Sequence, residues 1–278
     1  MEAPSNVAPR RDLPPVLALV ASLVLVRLLL ACSGSNTIER GEEFVRAAAA
    51  TALTGGLDLP LARLFYHPYE GGGFVHAILT AGGMTLFGPS LLTHKLIAIG
   101  WEVAVLLAGL LLVREAFGRR AAGWFGALWI LAPLAFQKVA LLNLGIHYQA
   151  LLFQFLLAWC GLGLLRSEPR RALLAGLVGG FGLFYNYQLA AMIGLLGAGL
   201  LLTRSLSPGA WGRLVLGFLV GALPLWLMVL AVGGEVIDIH GQTLGETKPD
   251  AIGVGEVLRG LGVWLGPRAW VQLLLFLA

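Results

Sequence analysis

The chain has 278 residues, 58% of them hydrophobic and only 12% charged, far more apolar surface than a soluble core of this size can hide. The net charge of +4 would suggest nucleic acid in a soluble protein, but Lys and Arg fall in short clusters between apolar runs, which reports orientation in a bilayer and argues against a nucleic-acid partner. Cys32 and Cys160 lie in or beside different apolar runs and give neither a disulfide framework nor a metal-ligand spacing, while most of the 38 glycines sit inside apolar runs, as in helices that pack closely in lipid. The expected class is all-α, a polytopic transmembrane helix bundle.

Residues 1–13 are polar and carry Arg10 and Arg11 just before the first apolar run, 14–31, which is long enough to span with the N-terminal tail cytoplasmic. Leu29-Leu30-Ala31-Cys32 has the form of a lipoprotein cleavage box, but Arg27 interrupts the apolar stretch, and an uncleaved helix is expected. Residues 33–72 hold Glu39, Glu42, Glu43, Asp58 and Glu70 with a Gly55-Gly56 break, and read as a first extracytoplasmic loop. Within it Phe44, Ala47, Ala48, Thr51 and Ala52 recur at helical spacing, so 42–53 is predicted as an amphipathic helix lying on the membrane surface.

The apolar run 74–87 is too short to cross and is predicted as an interfacial or re-entrant helix, ended by Gly88-Pro89-Ser90. A full-length span, 91–113, then delivers Arg114, Arg119 and Arg120 to the cytoplasmic side. Further spans are expected at 121–136, 147–165, 172–185, 189–202 and 211–232, with basic clusters at Arg166, Arg170, Arg171, Arg204 and Arg213 alternating accordingly. A second acidic loop, 233–255, holds Glu235, Asp238, His240, Glu246 and Asp250 on the same outer face as the first. A last apolar stretch begins near Val257, and because the sequence stops inside it the chain is expected to be one membrane domain, 1–278, truncated at its C-terminus.

Several residues in this plan carry chemistry. Glu39, Glu42 and Glu43 open the surface helix, where the positive end of the helix dipole favours carboxylates whether they cap or catalyse. Lys95 lies one turn inside its span, placed either to hold a phosphate or to snorkel to the headgroups. Glu102, two turns deeper, calls for a structural partner. Asn143, His147, Tyr148 and Gln149 cluster on the next outside turn, and Tyr185, Asn186, Tyr187 and Gln188 on a later one.

In order along the chain stand Gly41-Glu42-Glu43 with Arg46 one turn on, Phe65-Tyr66-His67-Pro68-Tyr69-Glu70-Gly71-Gly72, and Thr85-Leu86-Phe87-Gly88-Pro89-Ser90 followed by His94-Lys95-Leu96. Phe117-Gly118-Arg119-Arg120-Ala121-Ala122 and Ala132-Pro133 complete the series. From about Pro14 to Leu165 this order resembles the multi-span (GT-C type) membrane glycosyltransferases that use dolichyl- or polyprenyl-phosphate sugars, including bacterial relatives of protein O-mannosyltransferases and aminoarabinose transferases.

That resemblance implies an inverting transferase of the inner (plasma) membrane, taking a sugar from a polyprenyl-phosphate donor on the extracytoplasmic face to a lipid, glycan or protein acceptor. The family's first-loop acidic pair is typically Asp-Glu; here it is Glu42, matching the acceptor-activating base, and Glu43 beside it in support. A leaving phosphate wants cationic donors, and Arg46, Arg63, His67, Lys95 and Lys138 are the candidates, with Tyr69, Glu70 and His147 completing the substrate-binding set. Relatives often place Lys beside Pro where this chain has Glu70-Gly71. Some relatives hold a divalent cation through loop acids; Glu42, Asp238 and His240 are the groups to do so here, though no ligand spacing demands a metal. The rival expectation is a non-catalytic membrane protein: a transporter using Glu102 and Lys95, or an inactive transferase remnant.

Overall fold

Helix propensity, apolar runs and the absence of alternating strand patterns lead to helices throughout the computed structural model, which describes residues 13–33, 41–55, 71–145 and 148–232. In chain order these are α1 (Leu13–Cys32), α2 (Gly41–Leu53), α3 (Gly71–Phe87), α4 (Leu91–Phe117), α5 (Arg119–Ile130), α6 (Leu134–Ala140), α7 (Leu151–Leu165), α8 (Ala172–Tyr185), α9 (Leu189–Thr203), α10 (Pro208–Gly221) and α11 (Leu223–Val232), with one 3-10 turn at Pro169–Arg171. No strand occurs among the described residues, so the all-α expectation holds. The predicted second acidic loop, 233–255, and the last apolar stretch lie outside the described residues.

Two helical stretches, Pro15–Cys32 and Leu91–Phe117, are long and apolar enough to cross a membrane, each with mean hydropathy 2.5. Local chemistry sets where α4 starts and stops. Ser90 caps it by accepting from the Thr93 N–H at 3.1 Å. Gly118, at φ 89°, ends it in a conformation that side chains disfavour.

Two predicted spans are broken. The run 121–136 becomes α5 and α6, separated at Leu131–Pro133, because proline has no N–H to continue the ladder and pushes the residue before it out of the helical region. The run 211–232 breaks at Ala222, two residues before Pro224, for the same reason.

Helix α4 is the spine. Leu106 and Leu110 pack with Leu23 of α1 and with Ala122 and Ile130 of α5 in one core cluster. Farther along the chain α8 and α10 are in backbone contact. Gly176 and Gly180 of α8 face the α10 backbone at Leu214 and Phe218, while Gly217 and Gly221 face the α8 backbone at Leu173 and Leu177. These are two Gly-xxx-Gly faces set against each other, the arrangement by which helices associate closely without a water-driven hydrophobic force. The glycine-rich composition therefore has a packing purpose at these positions.

The same helices leave large side chains uncovered: Leu202 is 85% exposed, Leu230 82%, and Leu86 and Phe117 78% each. Charged groups collect instead near the C-terminal end of α4, where Glu115 pairs with Arg171 at 2.9 Å, Arg171 with Glu168 at 3.1 Å, and the Arg171 guanidinium stands over the Trp159 ring at 4.3 Å. From Lys95 to Glu115 the helix rises about 30 Å, the thickness of a hydrocarbon core.

Candidate functional site

Near the N-terminal end of α4 a second polar centre is built by α2, α3, α4 and the segment around Asn143. On α2, Phe44 of the predicted apolar stripe is 57% exposed and Val45 53%, whereas Glu43, Arg46, Ala49 and Ala50 are buried. Charge is tolerated inside when opposite charge and backbone groups meet it, and alanines let the helix approach closely.

Both oxygens of the Glu43 carboxylate accept from Lys95 Nζ, at 2.9 and 2.8 Å, and one accepts also from the Asn143 backbone N–H at 2.8 Å. Arg46, one turn on, donates from Nε to the Leu144 carbonyl at 3.0 Å and lies over Gly73, where any side chain would meet its guanidinium. Gly145, at φ 72°, and Gly72 abut each other backbone to backbone, so the glycine run that opens α3 is there for close approach.

Beneath this ion pair runs a buried string of hydrogen bonds. The Tyr185 hydroxyl lies 2.9 Å from His76 Nε2, and His76 Nδ1 is hydrogen-bonded to Asn143 Oδ1. The Asn143 amide nitrogen donates to Thr80 Oγ1 at 2.7 Å and faces His94 Nδ1 at 3.2 Å. An amide oxygen only accepts, so His76 carries its proton on Nδ1 and receives the Tyr185 hydroxyl at Nε2. An amide nitrogen only donates, so His94 accepts at Nδ1 and carries its proton on Nε2. Burial pushes the His76 imidazole down to about 4; the Asn143 bond opposes this and the nearby Arg46 charge reinforces it.

The segment leading into α7 is held by side chains: Gln149 Nε2 donates to the Leu142 carbonyl at 2.6 Å, and Trp101 Nε1 to the Gln149 carbonyl at 2.9 Å. Trp101 stacks on Tyr185, ring centroids 5.4 Å apart. Above the ion pair a pocket of about 230 Å³ opens between α2, the end of α3 and the start of α4, with Glu43, Ser90 and His94 on its polar side and Phe44, Met84 and Leu91 on its apolar side.

Among the sequence candidates, the structure brings Glu43, Arg46 and Lys95 together. Lys138 is exposed on α6. Glu42 stands in the first turn of α2 beside Glu43, but its side chain lies outside the described residues, as do Arg63, His67, Tyr69, Glu70 and His147. No group of three or more His, Cys, Asp or Glu suited to a metal occurs among the described residues.

Glu102, for which a structural partner was expected, accepts from Arg27 Nε at 3.1 and 2.8 Å and from its terminal nitrogen at 2.7 Å, with both side chains fully buried. Gln137 of α6 takes the other guanidinium nitrogen at 2.9 Å. Sequence reasoning offered Asn143 as a polar group that could line the same cavity and Tyr185 as a boundary residue, and passed over His76 and Thr80. The signal for His76 was the one titratable side chain in a 17-residue helix that is mostly apolar. No protein-family model, curated protein or solved structure matches the chain.

Proposed function

We propose that the chain is a multi-pass inner-membrane protein with a cytoplasmic N-terminus, and that it transfers sugar from a polyprenyl-phosphate donor to an acceptor hydroxyl on the extracytoplasmic face. The observation that carries this reading is the seating of the acidic start of α2: Glu43 is braced by Lys95 beside an amphiphilic pocket, next to Glu42. The exposed leucines and the close Gly-xxx-Gly packing support the bilayer setting. In it α3 is the helix that does not cross, which leaves Arg114, Arg119 and Arg120 on the cytoplasmic side.

Glu42 acts as base, taking the acceptor proton as the hydroxyl oxygen bonds to the anomeric carbon. The bond from that carbon to the donor's phosphate oxygen breaks, and the phosphate leaves with the electron pair, inverting the centre. Glu43 is already engaged by three hydrogen bonds from two donor groups and serves to position the helix that presents Glu42. The transport alternative loses support because both charges it would use are closed in buried ion pairs, Glu102 with Arg27 and Lys95 with Glu43.

Replacing Glu42 by Gln removes the base and is expected to slow transfer by about 10²-fold or more. The measurement is transfer of labelled sugar from a polyprenyl-phosphate donor by the purified chain in lipid nanodiscs. An unaltered rate would end the assignment.

A further inference from the structure

At the other end of α4, about 28 Å along the helix from Lys95, α1, α4 and α5 leave a cleft of about 410 Å³ between them. Val16 and Leu19 of α1 and Leu107 and Leu111 of α4 form its apolar walls, and Arg114 and Arg119 stand at its end. The space exists because the facing positions on α5 are small: Ala122 and Gly123 line it, and a Cβ at Gly123 would meet nothing within 4 Å. Leu107 and Leu111 are 38% and 45% exposed, so the cleft is open to the surroundings along its side.

Depth and charge together narrow what fits. Leu107 precedes Arg114 by two turns, so the apolar slot reaches about 10 Å from the arginines toward the middle of α4. In the bilayer setting proposed above, two guanidinium groups then lie at headgroup level over a slot in the hydrocarbon. No acidic side chain lines the cleft among the described residues, and Glu115, the acid next to Arg114 in sequence, is held by Arg171 at 2.9 Å. The helix ends do not decide the sign of the ligand, since the negative end of α4 and the positive end of α5 meet at Gly118 and largely cancel. Selection falls to the arginines. Their planar forks match the paired oxygens of a phosphate and stay charged at any working pH, whereas a choline head would set a third cation against them. A soluble anion would gain nothing from the apolar slot.

We propose that this cleft binds one anionic glycerophospholipid of the leaflet on that side, with its phosphate held between Arg114 and Arg119 and the first part of an acyl chain lying along Val16, Leu19, Leu107 and Leu111. The site rests on the membrane part of the reading above and not on sugar transfer, and no residue around Glu43 takes part in it. The lipid fills the space between the first helix and the α4–α5 pair.

The test is binding to the whole purified chain, by native mass spectrometry from micelles titrated with dioleoyl phosphatidylglycerol, dioleoyl phosphatidylcholine or glycerol phosphate. Phosphatidylglycerol is expected to bind, and the other two to bind at least about tenfold more weakly. With about a fivefold contribution from each arginine, Arg114→Gln together with Arg119→Gln is expected to weaken phosphatidylglycerol binding about 30-fold. Gly123→Leu keeps both charges, fills the slot, and is expected to weaken it about tenfold or more. Arg120→Gln removes an equal charge beside the cleft but outside its lining, and binding should stay within about threefold.

Equal binding of the two lipids overturns the proposal, and so does a Gly123→Leu protein that holds phosphatidylglycerol as the wild type does. A loss on Arg120→Gln as large as that of the double substitution replaces the site by diffuse charge attraction, and glycerol phosphate binding as tightly as the lipid makes it a free-anion site; either result overturns it. Should the double substitution fail to fold, Gly123→Leu decides, because it enters open space and leaves both arginines in place. Recovery of the chain as a soluble protein without detergent would overturn this site and the membrane reading together. These measurements involve no sugar, so failure of the transferase assignment and failure of the lipid site are read separately.

Discussion

Replacing Glu43 by Gln keeps the size of the side chain and removes its charge. In the folded protein Glu43 and Lys95 are 3% and 4% exposed, so the ammonium would remain in a place from which water is excluded, without the carboxylate that it now reaches with two bonds. Removing one partner of a buried pair costs about 3–5 kcal/mol, most of it the burden of the charge left behind. Replacing Lys95 by Met in the same chain removes that charge too, and the doubly substituted protein is expected to regain all but about 1 kcal/mol. The assay is unfolding of the four proteins of the cycle in mixed micelles, followed by tryptophan fluorescence. A Glu43→Gln protein within about 1 kcal/mol of wild type would refute the claim that this pair holds α2 in place.

Two further outcomes follow from other parts of the fold. A side chain added at Gly180 runs into the backbone of α10 at Phe218 and Ala222, whereas Gly197 has open space; Gly180→Leu is expected to destabilise by more than about 3 kcal/mol and Gly197→Ala to change stability by at most about 1 kcal/mol, in the same micelle unfolding measurement. His76 has an ordinary value of 6.5 when unfolded and about 4 when folded, so between those values the unfolded chain binds the extra proton. Stability is therefore expected to fall as pH drops from 6.5 toward 4, by about 1.4 kcal/mol per pH unit, and His76→Gln should flatten that slope in a pH series of unfolding curves.

Much of the helical plan was legible because run length and breakers are local properties. Gly88-Pro89-Ser90 ends α3 as expected, whereas α4 runs past the expected end at Val113 to Phe117, where Gly118 stops it, and Pro133 divides a run that hydropathy alone had joined. What α2 packs against on its other side was not legible: the stripe of Phe44, Ala47 and Ala48 speaks only for a membrane surface, and nothing local says that Lys95 and the Asn143 amide, 52 and 100 residues away, hold Glu43 inside. The pairing of Glu102 was expected while its partner was not, since Arg27 had been weighed only as an interruption of an apolar run. His94 was legible as part of a motif, but its free N–H depends on Asn143 occupying the other ring nitrogen.

The bond between Arg27 and Glu102 has a consequence for how such a protein is made. Each is a charge within a helix long and apolar enough to insert, Arg27 toward the C-terminal end of α1, and a lone charge costs about 2.5–3.5 kcal/mol at the centre of a bilayer. Their positions are 75 residues apart, so on the membrane reading the first helix leaves the ribosome well before the residue that neutralises it. On that reading Glu102 can neutralise Arg27 only once α4 has been made, and the fit of the first helix then depends on the docking of the second.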